Sequence, residues 1–305
     1  MKKLRLHLYI ILGLTVLGFV LGTLFDQQVS GAIFNRDDTF GILVSSVGTL
    51  PGYLAISFIG GGFLSLALKK QYKIGYTILF YVLCVLAFAA SVFFAGREFF
   101  GVNGFNLPSI KWLGYLIVVP FASGVTYLGY YLISKSERQH IWIALAFSAI
   151  FIFLALVPGV TLLKSIFHRP RYRSLTLFDE INFHNWYQPC KNYKDLMTVT
   201  GLTSEEFKSF PSGHAGATLL LSLTAAFAPL LDKRIKKNHL VLFYSGAVIT
   251  LLVCYARILV GAHFLSDVSM GALLTTVFTF LANEAIIFYK QKYENKKESQ
   301  PVEAE

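Results

Sequence analysis

The sequence predicts an all-α polytopic membrane protein of about eight transmembrane helices. Three observations lead there. The 305 residues are 55% hydrophobic and only 14% charged, against roughly 25% charged in a soluble globular domain. The apolar residues gather into runs close to the ~20 residues that cross a hydrocarbon core. Lys and Arg concentrate in alternate loops between those runs, which is how a spanning chain sets its orientation. This composition excludes a disordered chain, a nucleic-acid-binding domain and an ordinary cytosolic enzyme. The net charge of +10 is therefore first a topology signal.

The first run, about His7–Phe25, follows the basic start Met1-Lys2-Lys3-Leu4-Arg5. It lacks a convincing small-residue cleavage site and reads as a retained helix. The stretch Thr39–Leu68 is broken by Pro51 and by Gly60-Gly61-Gly62. Its second half is expected to span, and its first half to be interfacial or a kinked extension. Further spans are expected at about Gly75–Ala95, Trp112–Ser134 and Ile141–Leu163. A polar stretch, Ser165–Phe210, follows. The last three spans are expected at about Gly213–Leu231, Leu240–Tyr255 and Val268–Tyr289, and the residues after Lys292 read as a solvated, disordered tail. Gly18-x3-Gly22 has the spacing of a helix-packing notch. Cys84, Cys190 and Cys254 form neither a disulfide framework nor a zinc pair and read as small apolar side chains.

Charge placement fixes the expected orientation. Numbered from inside, the inner set is Lys2/Lys3/Arg5, Lys69/Lys70/Lys73, Lys135/Arg138, Lys233/Arg234/Lys236/Lys237 and Lys290/Lys292/Lys296/Lys297. The N-terminus is thus placed inside. The outer loops are poorer in cations except Ser165–Phe210, which carries Arg169, Arg171, Arg173, Lys191, Lys194 and Lys208. A basic outer loop in a chain that otherwise obeys the rule points to an anion site on the outer face.

Three polar clusters flank that loop. The first is Lys164-Ser-Ile-Phe-His-Arg-Pro-Arg171, the second Pro211-Ser212-Gly213-His214, and the third Arg257-x5-His263-x3-Asp267. Each alone has a bland reading: a snorkelling lysine, an N-cap serine, a surface pair. Topology makes them one rim, because two membrane crossings lie between the second cluster and the third. Lys164, Arg171 and Arg257 supply cations for an oxyanion. Ser212 and Gly213 open a helix, where free N–H groups favour anions and a glycine lets them approach. Asp267, one helical turn from His263, can accept one imidazole N–H and leave the other nitrogen free to attack. His214 is then available as general acid. No metal is needed for such a cradle. Glu284 is the only charge expected within the other spans, which argues against an ion or substrate path across the membrane.

The three clusters resemble the signature of the type-2 phosphatidic acid phosphatase superfamily, K-x6-RP, PSGH and SR-x5-H-x3-D. The resemblance covers about Lys164–Asp267 and departs at Tyr172, where the family has Pro, and at Ala256, where it has Ser. It implies that His263 is a nucleophile forming a phosphohistidine, that Asp267 orients it, and that His214 protonates the leaving group. Lys164, Arg171, Ser212, Gly213 and Arg257 would hold the phosphate, with Arg169 the alternative to Arg171. It also implies a six-helix phosphatase core within residues 75–292, preceded by extra helices in 1–74 and followed by the tail 293–305.

The expected protein is an integral membrane phosphatase. It would hydrolyse phosphatidate, phosphatidylglycerol phosphate or an isoprenyl pyrophosphate, with no metal or other cofactor. Its partners would be a phosphorylated lipid and the bilayer, not nucleic acid. The short Lys-rich loops and the lack of N-x-[ST] sequons suit a bacterial cytoplasmic membrane, the active site facing outward. The rivals are a lipid phosphotransferase and a non-catalytic anion-binding protein or transporter. The aromatic stretch Phe183–Tyr187 is expected at the lipid interface or as a substrate lid, while His168 and His184 carry no spacing that demands catalysis.

Overall fold

Each long apolar run folds as a helix, because within lipid a backbone satisfies its N–H and C=O groups only inside its own segment. The computed structural model describes residues 2–69, 71–101, 108–135, 141–231 and 235–298. Lys70, Arg138, Lys233 and Arg234 of the expected inner loops, and tail residues 299–305, lie outside them. In chain order the helices are α1 (Lys2–Ile33), α2 (Thr39–Val47), α3 (Leu50–Leu68), α4 (Ile74–Phe99), α5 (Lys111–Ser134) and α6 (Ile141–Leu154). A π-helical segment, Ala155–Leu162, leads into α7 (Leu163–Phe167). Then come α8 (Tyr172–Leu175), α9 (Tyr193–Thr200), α10 (Gly213–Leu231), α11 (Ile235–Leu259) and α12 (Leu265–Glu298). Among the described residues there is no strand, and seven segments are long and apolar enough to cross a membrane. They correspond to the expected spans except Gly213–Leu231, which is formed as α10 and packs on α3, α11 and α12.

Leu14, Leu17, Ile78, Val85, Leu116 and Leu251 face outward, as a lipid-facing belt should, while Ser, Ala and Gly fill the seams between helices. α3 lies at the centre, against α4, α5 and α10. The expected interruption at Gly60-Gly61-Gly62 is absent, and α3 runs straight through it. The glycines serve packing instead: a Cβ on Gly61 would stand 1.9 Å from the Thr126 carbonyl oxygen of α5. The break falls earlier, at Gly48-Thr49 between α2 and α3.

Three helices outrun their expected ends. α1 passes Phe25, where the backbone kinks (φ −131°, ψ 16°), and carries Asp26 into the interior. α4 continues to Phe99 and carries Arg97 and Glu98. α12 continues to Glu298, so residues 293–298 of the expected disordered tail are helical. Gly18 and Gly22 do form a notch. A Cβ on Gly22 would meet the Ser266 backbone nitrogen at 2.3 Å, so α1 sits directly against the start of α12. At the other end of that pair Arg5 Nε lies 2.8 Å from Glu284 Oε1.

The loop after α7 has a small core of its own, made of Ile181, Cys190, Leu196 and Phe207. Buried there, Cys190 is a free, apolar-type cysteine. The loop is pinned by Glu206, whose carboxylate accepts from Arg173 Nε and Ser174 Oγ, each at 2.9 Å. Burial alone would raise this carboxyl; Arg173 and Arg171 outweigh it and hold it at about 2. Two rings of the aromatic stretch pack inside the protein. Trp186 stacks on Phe210, meets Phe19 at a tilt and donates Nε1–H to Thr23 Oγ1 at 3.0 Å, while Phe183 packs on Phe264. These rings fasten the loop to α1 and to the start of α12.

Candidate active site

Helix direction alone decides where the polar clusters meet. The C-terminal ends of α4, α7 and α11 and the N-terminal ends of α10 and α12 gather at one end of the bundle, under the 168–212 loop. Between them lies a cavity of about 370 Å³.

Five of the expected site residues line it: Lys164, Arg171, Gly213, His214 and His263. Lys164 comes from the turn after the π-helical segment, a local widening that accommodates Pro158. Its Nζ donates to the Lys208 carbonyl at 2.6 Å. Arg171 Nε donates to the Glu205 carbonyl at 2.8 Å. Gly213 opens α10, and a Cβ there would meet only Val160 Cγ1, at 3.5 Å. Packing gives no reason for a glycine at that position; the cavity it faces does.

The remaining three sit behind this lining, fully buried. Ser212 Oγ accepts weakly from Ala215 N–H at 3.4 Å, as an N-cap does. Arg257 lies in the last turn of α11. Its carbonyl accepts the N–H groups of Ala262 and His263 at 3.0 and 3.1 Å, so the chain reverses tightly and His263 is delivered to the cavity. That reversal needs Gly261, whose φ of +66° is left-handed.

His263 is held by Nδ1, which lies 2.7 Å from the Ser209 carbonyl oxygen. Asp267 Oδ2 is 3.8 Å from the same nitrogen, too far for a hydrogen bond. Asp267 fixes its surroundings instead: it accepts from Ser209 Oγ and from Phe264 N–H, and its Oδ1 pairs with Arg169 at 2.6 Å. With Nδ1 so engaged as donor, Nε2 carries the lone pair. Burial, then the charges of Lys164, Arg257 and Arg171, hold the imidazole well below its ordinary range, so it is neutral and nucleophilic at pH 7. The His214 ring faces it, centroids 6.3 Å apart.

The two candidate arginines separate cleanly. Arg171 lines the cavity, whereas Arg169 is spent on structure. Its guanidinium bonds Asp267, Ser266 (2.8 Å), Asp26 (2.9 Å) and the His184 carbonyl (2.8 Å), and it stacks over Phe264 at 4.1 Å.

Sequence reading passed over three contributors. Ser209, two residues before the Pro-Ser-Gly-His run, orients His263 through its carbonyl. Asp26 of α1 closes the Arg169 network. Glu98 of α4 stands 3.2 Å from His214 Nε2. Both acids had a signal, since a carboxylate at the end of an apolar run is costly and needs a partner. The lining also includes the apolar side chains of Phe94, Leu156, Val157 and Val160, the ring of Tyr53, the hydroxyls of Thr161 and Ser165, and the charged Arg97, Glu205 and Lys208. Among the described residues no three His, Cys, Asp or Glu side chains gather as a metal-binding set.

The chain matches the PAP2 superfamily over residues 140–292. Neither a curated protein nor a solved structure matches it.

Proposed function

Since this chain belongs to the PAP2 superfamily, whose members are phosphatases, we propose that it hydrolyses lipid phosphates or pyrophosphates through a phosphohistidine on His263, at the outer face of the cell membrane. The observation that carries this reading is the pairing of the two histidines across one cavity. His263 is tethered by Nδ1 to Ser209, and His214 opens the helix whose Gly213 leaves room for a phosphate. His263 Nε2 attacks phosphorus while the bond to the leaving oxygen breaks, and His214 gives that oxygen its proton. Water then attacks phosphorus and loses a proton to His214 as the P–Nε2 bond breaks, freeing phosphate and His263. Lys164 and Arg171, with the first N–H groups of α10, stabilise the charge on the phosphoryl oxygens, and buried Arg257 adds positive charge from behind the lining. The apolar side chains of Phe94, Leu156, Val157 and Val160 support a substrate with an acyl or isoprenyl chain.

The test offers phosphatidate, phosphatidylglycerol phosphate and an isoprenyl pyrophosphate to purified protein in detergent with EDTA, beside His263→Ala. Wild type should release phosphate and acquire acid-labile label on His263; the variant should do neither. Phosphate passing to a lipid acceptor would replace hydrolysis by transfer. Equal rates for wild type and variant would sink the histidine mechanism.

A further inference from the structure

Glu98 lies outside residues 140–292, the part that matches the family. It sits in the last turn of α4, is 5% exposed and points into the cavity. Its two oxygens face different groups: Oε1 accepts from Arg97 Nε at 3.2 Å, and Oε2 lies 3.2 Å from His214 Nε2, at ion-pair distance but without the alignment of a hydrogen bond. A carboxylate taken out of water costs several kcal/mol unless compensated. Its neighbour Arg97 stays about half exposed, so within this trio the carboxylate and the histidine are the members held in the interior.

We propose that Glu98 is a positioning residue for His214: it fixes the ring through Nε2 and balances the positive charge the ring carries when it protonates the leaving oxygen. This rests on the phosphatase reading above. A histidine that donates a proton from Nδ1 must also carry one on Nε2, and that second N–H needs an acceptor. The charged groups around His214 are otherwise mostly cationic: Lys164 from α7, Arg257 from α11 and Arg171 from the loop, with Arg97 beside Glu98 on α4; His263 across the cavity is neutral. Tyr53 of α3 adds a hydroxyl and Glu205 a second, more distant carboxylate. Cations disfavour one more positive charge, whereas a carboxylate in contact with the ring favours it. In the second step the same contact keeps the proton on Nε2, so Nδ1 is the atom that takes the proton from water.

General acid catalysis matters only when the leaving group needs a proton. An alkyl phosphate expels a strongly basic alkoxide; p-nitrophenyl phosphate expels a weakly basic phenolate. The experiment therefore compares kcat/KM for a long-chain alkyl phosphate and for p-nitrophenyl phosphate, in wild type, Glu98→Gln, His214→Ala and the double variant. Glu98→Gln is expected to lose about ten- to hundred-fold on the alkyl phosphate, the scale on which partners of active-site groups act, and less than about three-fold on the nitrophenyl ester, which needs little acid help. His214→Ala should show the same selectivity more strongly, and adding Glu98→Gln to it should cost nothing more. Equal losses on both substrates, or a further loss in the double variant, would overturn the proposal and leave Glu98 as packing. Should Glu98→Gln not fold, Glu98→Asp decides on the same criterion: selective loss supports the role, equal loss refutes it. Wild type inactive on both esters would sink the phosphatase reading itself, a result distinct from any of these.

Discussion

The helices before residue 140 and those after it meet at the same cavity but contribute unlike groups. α7, α10, α11 and the loops beside them bring the side chains with a spare nitrogen or cationic head: Lys164, Arg171, His214 and His263. α1 and α4 bring carboxylates whose oxygens are already committed, Asp26 to Arg169 and Ser266, Glu98 to His214 and Arg97. The later half carries the candidate reacting groups together with Ser209, Arg169 and Asp267 around them, and the earlier half adds two buried carboxylates. The difference teaches that helices without a recognisable motif can still belong to a site. Their contribution is a single acid at a helix end, too sparse to form a sequence pattern.

The largest expected break lies on the reacting side. His263→Ala removes the nucleophile and should lower turnover on the order of 10⁴-fold or more, with thermal stability close to wild type. His214→Ala should cost about 10²–10⁴-fold. A His263→Ala protein with a tenth of wild-type turnover would place the chemistry elsewhere.

The next break lies among the groups around the reacting ones, and it should strike stability. Arg169→Met leaves Asp26 and Asp267 buried without their cation. Breaking such a pair from one side costs about 3–5 kcal/mol, so the melting temperature in detergent should drop sharply. Arg171→Met should instead raise KM for phosphate-bearing substrates with a smaller loss of stability. Were the two variants to swap these effects, the assignment of Arg171 to the phosphate and Arg169 to the scaffold would be reversed.

A finer distinction concerns Gly213. Its Cβ position meets only Val160 Cγ1 at 3.5 Å, so Gly213→Ala should fold and melt like wild type. A methyl at the mouth of the helix N-terminus displaces the phosphate, and about a ten-fold or larger fall in kcat/KM is expected, since ~1 Å misplacement can cost 10²-fold. Unchanged kinetics would mean the phosphate does not approach α10.

The smallest effect is on the loop. Glu206 has its carboxyl at about 2 in the folded protein, against an ordinary 4.5. The folded state therefore favours the ionised form. That stabilisation is complete above pH about 4.5 and fades as pH falls towards about 2. Relative to the intrinsic exchange rate at each pH, the protection of residues 171–210 should fall over that window and stay level above it; Glu206→Gln should weaken the dependence.

How legible this was in the sequence varies with the kind of feature. Helix ends in apolar runs were legible to a few residues, except where a helix carries a paired charge onward, as at Asp26 and Glu98. A span drawn by hydropathy stops at the first acid, but a helix does not stop if the acid has a partner. Gly60-Gly61-Gly62 read as a break because glycine weakens a helix; the close approach of α5 to Gly61 overrides that preference. The aromatic loop gave no clue to its packing, because the partners Phe19, Phe210 and Phe264 are remote in the chain. Ser209 acts through its carbonyl, and a backbone atom leaves no residue-type signature.

What the sequence by itself determined is the bundle of spanning helices and the arrival of three motifs at one end of it. Both follow from local quantities: the length of each apolar run, and the parity of crossings between the motifs. What only the tertiary structure decided is the division of labour among like groups. Arg169 and Arg171 are two residues apart and chemically identical, yet one faces two buried carboxylates and the other the cavity. The His263–Asp267 spacing allowed a hydrogen bond that the folded chain gives to Ser209 instead. Spacing along a helix limits which groups can meet, but a hydrogen bond forms or fails within a few tenths of an ångström. That precision is set by how α1, α4 and the loop pack against the motif-bearing helices.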